Sequence, residues 1–500
     1  MDVVFTPQFF VLTLGLVGAV IIIAALLSGF IDRSDLPQVA VFLALGAALG
    51  PAGLGLLDVG LDSPILRVVA TLSLTLVLFT DAVSISIAEV RRHARLAFLV
   101  VGPGTLLTAA LVAFAGWFLL DLHPADAAIL GAALASTDPV MLRGLIRRPA
   151  LPDSVRLALR LESGLNDVVL LPIILMAMPF LGGGRSLDAL AWARFGMDFF
   201  LLGPGAGIAV GLLALAALDM IRRKVGVRRD YESLYSLGVA FAAYAAAESV
   251  HGSGFLAAFA AGLTIAALDV ELCDCFVEYG ETTAEMALLF AFVLFGSSLI
   301  WRGFTVLDLY TFFFAISVVL IRVVAFFVAL AGTALDWKSR VLIAWFGPRG
   351  LSSLLLVLVP VFAGLAGSER MFFIACFVVL FSVALHGGTL MFLKRDGRRT
   401  LRADELVEKA RPVLSHDIAP PAPVQAANRG EDDLHISIDE MRRLGESGAP
   451  MLLLDVRSER SMDGDNGRAP GALRIPPERP AQRLAELDVP KNTWLILFCA

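Results

Sequence analysis

The strongest constraint on this chain is a succession of apolar stretches that runs almost without interruption from Phe9 to Leu393. A helix needs about 20 predominantly apolar residues to cross the hydrocarbon core of a bilayer, and these stretches are long enough to do so. With 58% hydrophobic and 17% charged residues among 500, the chain is too apolar for a water-soluble globule of this length. The sequence therefore predicts an all-α polytopic membrane protein.

Stretch lengths and helix breakers divide the apolar region into about thirteen transmembrane spans. They are predicted at 9–31, 36–57, 64–88, 96–120, 125–147, 156–181, 196–221, 234–250, 252–270, 284–301, 308–332, 338–364 and 370–393. The first has the acidic Asp2 before it and no basic flank, so we interpret it as a membrane helix and not as a cleaved signal peptide.

Lysine and arginine cluster in every second connecting loop, for example at 91–95, 222–229 and 338–340. Under the positive-inside rule those loops are cytoplasmic, which places the N-terminus outside and the C-terminus inside a cell (inner) membrane. Two loops blur this pattern, because 182–195 carries arginines on the outer side and 270–283 is acidic on the inner side. No basic tract with interleaved aromatic residues indicates a nucleic-acid partner.

The fifth predicted span carries Thr137, Asp138 and Pro139 near its middle. Proline removes a backbone donor, so the helix is interrupted there and its exposed ends carry partial charges of about half an electron. A carboxylate beside the exposed N–H groups offsets the positive end. A simple proline kink is the alternative, but the neighbouring aspartate favours a functional break.

The sixth predicted span brings four polar side chains into an apolar run: Glu162, Ser163, Asn166 and Asp167. Residues four positions apart share a helical face, so Glu162 lies with Asn166 and Ser163 with Asp167. A charge inside a membrane normally faces a cavity, a partner or an ion. The alternative places these residues at the solvated cytoplasmic end of the helix, although Asp167 lies roughly 10 Å along the helix from Arg160.

The twelfth predicted span is broken by the sequence Gly-Pro-Arg-Gly at 347–350. Here the fixed charge of Arg349 suits the carbonyl end of a broken helix. The fifth and twelfth spans are seven apart, as expected for two six-helix repeats of inverted topology joined by one linking helix. We therefore expect the two breaks to meet in the middle of the membrane.

A buried guanidinium in the eleventh predicted span, that of Arg322, requires a carboxylate, and Glu162 is the preferred partner. Because a paired charge cannot also carry the ion, this pairing leaves Asp167 as the carrier. The neutral oxygen ligands expected near it are Ser163, Asn166 and the carbonyl of Thr137, and the expected ion- and proton-binding set also includes Asp138. Asp81 in the third span is a second candidate ligand, and the alternative interpretation of it is a polar helix cap near the membrane edge.

The motifs that carry a family resemblance are T-D-P at 137–139, E-S-G-L-N-D at 162–167, the helix of Arg322, and G-P-R-G at 347–350. Together they resemble the monovalent cation:proton antiporter-1 family, which includes the NhaP-type bacterial exchangers and the animal NHE exchangers. The likeness extends from residue 9 or so to residue 394. It implies a thirteen-helix, NhaA-like fold of inverted repeats with two broken crossing helices, assembled as a homodimer.

The resemblance also implies roles for residues. The family aspartate at the place of Asp167 carries the ion or proton, with the neighbouring serine and threonine carbonyl as ligands, and the glutamate at Glu162 pairs with the arginine at Arg322. Asn166, where electrogenic relatives have a second aspartate, favours one cation per proton. One departure is that Thr80 intervenes before Asp81, where many members have the acid directly after phenylalanine.

The expected function is therefore secondary antiport of a monovalent cation, Na⁺ in the first instance, against H⁺ by alternating access. No cofactor, no metal beyond the transported cation and no enzymatic reaction of the bundle are expected. Exchange of K⁺ for H⁺ is the alternative, because selectivity depends on cavity size and ligand geometry that residue spacing does not report.

Composition separates a transmembrane domain at 1–395 from a charged and Pro/Ala-rich cytoplasmic linker at 396–434 and a mixed region at 435–500. The mixed region resembles part of a rhodanese-like domain in its LLLDVR and GRAPGALRIP segments, with Cys499 at the place of the catalytic persulfide cysteine. The sequence stops at Ala500, so we expect an incomplete and inactive module. The alternative is a membrane-tethered sulfurtransferase or sensor, which leaves the buried charges of the bundle unexplained.

Overall fold

The computed structural model describes most of the chain from residue 37 onward. The described residues are 15, 18, 22, 23, 26, 37–85, 87–146, 151–181, 196–225, 229–268, 274–333, 335–409, 451–455, 473–474 and 494–498. The chain divides into two compact units, Met1–Lys409 and Ala410–Ala500.

The first unit is helical throughout its described residues, apart from connecting turns and two breaks. Its helices are α1 (Gln38–Leu49), α2 (Pro64–Val83), α3 (Ile87–Arg92), α4 (Ala94–Leu120), α5 (Pro124–Ala135), α6 (Pro139–Ile146), α7 (Asp153–Ala177), α8 (Gly203–Lys224), α9 (Arg229–Ser249), α10 (Gly254–Ala267), α11 (Asp274–Leu294), α12 (Leu309–Ala329), α13 (Trp337–Trp345), α14 (Leu351–Phe362) and α15 (Ser368–Lys409). Helix α4 contains a π-helical turn at Val100–Gly104, and α11 continues through a similar turn at Phe295–Leu299.

Eight helical segments among the described residues are long and apolar enough to cross a membrane. They are Pro64–Val83, Ala94–Leu120, Pro124–Leu142, Ser154–Phe180, Asp198–Lys224, Tyr279–Val306, Leu309–Ala329 and Ser368–Thr389. Shorter apolar helices are Gln38–Leu49, Gly254–Ala267 and Leu351–Phe362. The protein is therefore a mostly helical, multi-pass membrane protein. The number of thirteen crossings stays a prediction, since the first expected span lies largely outside the described residues.

A polar side chain caps the N-terminus of several of these helices. Asp308 accepts a hydrogen bond from the Thr311 N–H at the beginning of α12, and Asp336 accepts one from the Ser339 N–H at the beginning of α13. These bonds satisfy backbone donors that have no partner within the helix. The bond from Thr311 holds the pKa of Asp308 below its usual value, and hydrogen bonds from the Ser339 side chain and backbone do the same for the pKa of Asp336.

Helices α5 and α14 lie in the interior of the bundle. Helix α5 packs against α4, α7 and α14, and α14 packs in addition against α2 and α15. Both are predominantly apolar, and most of their side chains are buried. Burial of apolar side chains on most sides of a helix indicates that other helices surround it. One helix beside each break is thus enclosed by protein.

The second unit contains a three-stranded parallel sheet of β1 (Met451–Asp455), β2 (Leu473–Arg474) and β3 (Trp494–Phe498), in the order β2-β1-β3. In the register, Leu454 pairs with Leu473 on one side and with Leu497 on the other. Parallel pairing requires crossover connections and is typical of α/β folds. Cys499 lies outside the described residues, and the rhodanese-like assignment of 435–500 stays a prediction. Helix α15 extends beyond the predicted domain boundary at 395.

Candidate functional site

Two interrupted helices meet in the centre of the bundle. The first interruption separates α5, which ends at Ala135, from α6, which begins at Pro139. The second separates α13, which ends at Trp345, from α14, which begins at Leu351. The backbone N–H of Asp138 in the first break donates to the carbonyl of Pro348 in the second, at 3.0 Å. The two breaks are therefore in direct contact.

The Asp138 carboxylate caps two helix N-termini at once. Its Oδ1 accepts from the backbone N–H of Val140, in α6, at 2.8 Å, and its Oδ2 accepts from the N–H of Leu351, in α14, at 2.9 Å. Asp138 is fully enclosed, with 1% of its surface exposed. The first turn of a helix exposes N–H donors and carries partial positive charge, so one anion here stabilises both half-helices.

The Arg349 guanidinium occupies the opposite end of the first break. Its Nη1 donates to the carbonyl of Ala135, the last residue of α5, at 2.6 Å and to that of the C-cap residue Ser136 at 3.0 Å. Ser353, on α14, adds a hydroxyl hydrogen bond to the Ser136 carbonyl at 3.3 Å. A cation at the negative end of a helix is the counterpart of the anion at the positive end. Each break therefore supplies the charge that compensates helix ends of the other.

Asp167 lies beside this crossing on α7. Its Oδ1 accepts a hydrogen bond from the Ser136 hydroxyl at 2.6 Å. The preceding Asn166 donates from Nδ2 to the Thr137 hydroxyl at 2.8 Å. Asn166 Oδ1 is buried and has no hydrogen-bond partner among the described residues. A buried acceptor without a donor is costly unless something satisfies it, so this oxygen is available to a cation.

The buried pair Glu162 and Arg322 lies on α7 and α12. Arg322 donates from Nη1 to Glu162 Oε1 and from Nη2 to Oε2, the latter at 2.8 Å, which makes a two-pronged ion pair. Nη2 also donates to the carbonyls of Ile343 at 3.1 Å and Phe346 at 3.2 Å, at the end of α13. The guanidinium stacks over the Phe326 ring, 4.2 Å from its centroid. Arg322 therefore links the ion pair to the end of a broken helix.

Two glycines of the second break allow these charges to approach the backbone. A Cβ atom at Gly350 would lie 1.7 Å from Asp138 Oδ2, and one at Gly347 would lie 1.8 Å from Arg322 Nε. Neither distance is compatible with a side chain. Glycine is needed at both positions because a carboxylate and a guanidinium occupy the space that a methyl group would take.

Comparison with known protein families gives a match over most of the chain. The transmembrane family described as "Sodium/hydrogen exchanger, transmembrane" matches residues 18–395. The chain belongs to this family.

Proteins similar to this chain are named for different cations. A K⁺/H⁺ antiporter NhaP2 from Shewanella sp. (strain MR-4) is 26% identical over 385 residues, which cover 75% of this chain and 65% of the relative. This chain thus spans less than two thirds of the length of that relative. A Na⁺/H⁺ antiporter NhaH from Halobacillus aidingensis is also 26% identical, over 309 residues, which cover 59% of this chain and 73% of the relative.

The fold of this chain resembles that of a solved archaeal protein. The sodium proton antiporter MjNhaP1 from Methanocaldococcus jannaschii, solved at pH 8, superposes with a TM-score of 0.63 at 20% sequence identity. The superposition covers 76% of this chain and 99% of that protein. The shared architecture is that of the transmembrane region.

The structure brings most of the sequence-predicted residues together around the crossing, with details that differ from the expected ligand set. Thr137 receives the Asn166 amide through its hydroxyl. The Ser163 hydroxyl is buried and donates to the Arg160 carbonyl of its own helix at 3.3 Å. Asp81 is half-buried near the C-terminal end of α2, a helix that packs against α7. Its role as a ligand stays a prediction.

Sequence reasoning missed three polar residues at the crossing: Ser136, Ser382 and His386. Ser136 directly precedes the T-D-P motif. A serine in an apolar helix commonly bonds to its own backbone, so this residue type does not by itself indicate a site. Ser382 and His386 lie four positions apart in the thirteenth predicted span, and this spacing was the available signal. An intramembrane histidine is a functional candidate by default.

Proposed function

We propose that this exchanger is a secondary antiporter that exchanges one monovalent cation for one proton, with Asp167 binding each in turn. The observation that carries the proposal is the balance of buried charge. Among the described residues, the buried acidic and basic side chains other than histidine are three carboxyl and two guanidinium groups: Asp138, Glu162, Asp167, Arg322 and Arg349.

Four of these five groups have a compensating partner. Glu162 and Arg322 neutralise each other, and Asp138 and Arg349 each offset helix ends of the opposite sign. Asp167 is left with a neutral hydroxyl donor, Ser136. A buried carboxylate without a compensating positive charge is expensive to ionise, so it binds either a proton or a cation. One site then carries one positive charge at a time, which couples the two fluxes.

The oxygens near Asp167 suit a hard monovalent cation. The unpaired Asn166 Oδ1 is a neutral acceptor on the adjacent residue, and the Ser163 hydroxyl and Thr137 carbonyl are the further ligands we propose. Alkali cations bind carboxylate, carbonyl and hydroxyl oxygens and need no fixed metal-binding cluster. Asp81 remains a proposed additional ligand from α2.

The transported cation is proposed to be Na⁺, with K⁺ as the second candidate. The names of the relatives favour both, since a K⁺/H⁺ antiporter and a Na⁺/H⁺ antiporter share the same 26% identity with this chain. Selectivity follows from cavity size and from the number and field strength of the ligands. Transport assays with Na⁺, K⁺ and Li⁺ in turn distinguish the two candidates.

The setting we propose for this exchange is a homodimer in the inner membrane with a cytoplasmic C-terminus. Transport by alternating access fits a bundle of inverted repeats whose broken helices cross at the site. For 435–500 we propose a separate cytoplasmic module of rhodanese-like type, supported by its parallel sheet, with no sulfurtransferase role. Thiocyanate formation that disappears in Cys499→Ser would contradict the last point.

The deciding experiment measures dissipation of an imposed pH gradient in proteoliposomes that contain the full chain. Addition of the transported cation should dissipate the gradient with the wild-type protein and not with Asp167→Asn, because an amide neither binds a proton reversibly nor neutralises a cation. The matched control is Asp219→Asn, which removes an exposed carboxylate paired with Arg223 on α8 and should transport as the wild type does. Dissipation by Asp167→Asn at the wild-type rate would contradict the proposal.

A further inference from the structure

Helix α15 presents a polar pair to the second break. Ser382 and His386 lie four positions apart and therefore on one face of the helix, and both are buried, at 0% and 1% exposure. The remaining buried residues of that helix are almost all apolar. Burial of two polar side chains is costly unless both are hydrogen-bonded, so their partners define what they do.

Their partners are Arg349, within the second break, and Trp345, at the end of the helix before it. The backbone N–H of Arg349 donates to Ser382 Oγ at 2.8 Å. His386 Nε2 lies 3.1 Å from the carbonyl of Trp345, the last residue of α13. His386 Nδ1 lies 3.2 Å from Ser382 Oγ and 3.0 Å from the Ser382 carbonyl. The pair thus bridges the interruption from its α13 edge to Arg349.

The contact with Trp345 sets the proton on one nitrogen of His386. A carbonyl only accepts, so this contact requires the proton on His386 Nε2. His386 Nδ1 faces two oxygens of Ser382, its carbonyl and the hydroxyl that accepts from the Arg349 N–H. The contacts form a continuous series from the Arg349 N–H through Ser382 and His386 to the Trp345 carbonyl.

Arg349 connects this series to the ion site. Its backbone is held by Ser382, while its guanidinium holds the carbonyls of Ala135 and Ser136. Ser136 in turn donates its hydroxyl to Asp167. A displacement of the Arg349 backbone therefore reaches Asp167 through two hydrogen-bonded steps.

The position of the pair in the repeat supports this connection. Helix α7 corresponds to the sixth predicted span and α15 to the thirteenth, so they occupy equivalent places in the two proposed repeats. In α7, Asn166 and Asp167 contact the first break. In α15, Ser382 and His386 contact the second. In each proposed repeat, the helix that follows the broken helix therefore contacts the break through polar side chains.

We infer that Ser382 and His386 are positioning residues of the cation site, which act through Arg349 on the Ser136–Asp167 contact. The transport consequence rests on the proposed function. The structural consequence is that both breaks are held in a fixed conformation, and it does not depend on the proposed function. The two are therefore measured separately.

The first measurement is amide hydrogen exchange of the purified full-length protein, read in peptides covering 133–140 and 345–353. Ser382→Ala removes the acceptor of the Arg349 N–H, and His386→Leu removes the donor to Trp345. Both should raise exchange about five- to tenfold in both peptides, as loss of one or two hydrogen bonds allows. His386→Gln, which keeps a donor and an acceptor, should restore most of the protection.

The matched control is Cys376→Ala, a buried truncation on the same helix. It should leave exchange in both peptides at the wild-type level. An increase confined to 345–353, or no increase in either peptide for Ser382→Ala and His386→Leu, overturns the inference, because the pair then does not reach the first break.

The second measurement is cation-driven exchange in proteoliposomes with the same four variants. Ser382→Ala and His386→Leu should raise the apparent KM for the cation about five- to tenfold with a smaller change in maximal rate, and His386→Gln should lie near the wild type. An unchanged KM in an active protein overturns the positioning role in transport. Absence of exchange by the wild type contradicts the proposed function, and the hydrogen-exchange result still decides the structural inference.

Discussion

Asp138 and Leu351 are joined by a hydrogen bond of 2.9 Å from the Leu351 N–H to the carboxylate, although 213 residues separate them in the chain. The same carboxylate accepts from Val140 at the beginning of its own half-helix. Two broken helices from opposite halves of the transmembrane unit therefore share one cap. The position of each break depends on the other.

Replacement of Asp138 should reduce transport without reducing membrane insertion. In Asp138→Asn the amide keeps one acceptor for Val140 but turns a donor toward Leu351, so the shared cap is lost. We expect membrane insertion and yield to stay near the wild type while exchange falls by at least tenfold, measured in proteoliposomes at matched protein density. Wild-type exchange rates in this variant would show that the double cap is dispensable.

The Glu162–Arg322 pair should behave as one unit in stability. Glu162→Gln leaves a buried guanidinium without its counter-charge, and loss of one partner of a buried pair costs about 3–5 kcal/mol. The double variant Glu162→Gln/Arg322→Gln should recover part of the loss in Tm, measured in detergent. Recovery should be incomplete because Arg322 also caps α13 and stacks on Phe326. Additive losses would count against coupling between the two side chains.

A methyl group at Gly350 should disturb the crossing more than its size suggests. The new Cβ would lie 1.7 Å from Asp138 Oδ2, so the carboxylate must leave Leu351. Overpacking of this kind costs about 1–3 kcal/mol, and we expect a lower Tm together with strongly reduced exchange. Gly205→Ala is the control, since its Cβ meets nothing within 4 Å. Equal behaviour of the two variants would refute the close approach as a requirement.

Competition between a proton and the cation for Asp167 should determine the dependence of exchange on pH. Where Asp167 carries a proton, the cation must displace it, so the apparent affinity should weaken about tenfold for each unit that the pH falls. At higher pH, slow release of the cation limits the rate. With equal pH on both sides, the profile should be a bell whose acidic limb moves to lower pH as the cation concentration rises. An acidic limb that stays in place over a hundredfold range of cation would exclude competition at one site.

The exchange should also be electroneutral. A cycle that moves one net charge gains or loses about 2.3 kcal/mol per 100 mV of membrane potential, whereas exchange of one cation for one proton gains nothing. Imposed potentials of either sign should therefore leave the rate of Na⁺-driven exchange unchanged. Asn166→Asp adds a second buried carboxylate and is the informative variant for comparison. A clear voltage dependence of the wild type would indicate a stoichiometry other than one to one.

Much of the architecture could be predicted because the hydrocarbon core of a bilayer offers no hydrogen-bond partners to an exposed backbone. Apolar stretches of sufficient length have to be helices there, and each interruption or charge stands out against them. The T-D-P and G-P-R-G segments were identified as breaks on these grounds, and helix ends lie at Ala135, Pro139, Trp345 and Leu351. Sequence logic also named Glu162 as the partner of Arg322, and the two are in contact.

The amino-acid sequence by itself thus determined the membrane-spanning bundle, the places where its helices break and the identity of the buried charges. Only the tertiary structure decided how those charges are used, because each contact joins segments that lie far apart in the chain. The second oxygen of Asp138 at Leu351, the Ser136 hydroxyl on Asp167, and the Ser382–His386 bridge are contacts of this kind. A buried polar group reveals that it needs a partner, and helix packing selects which partner comes within reach.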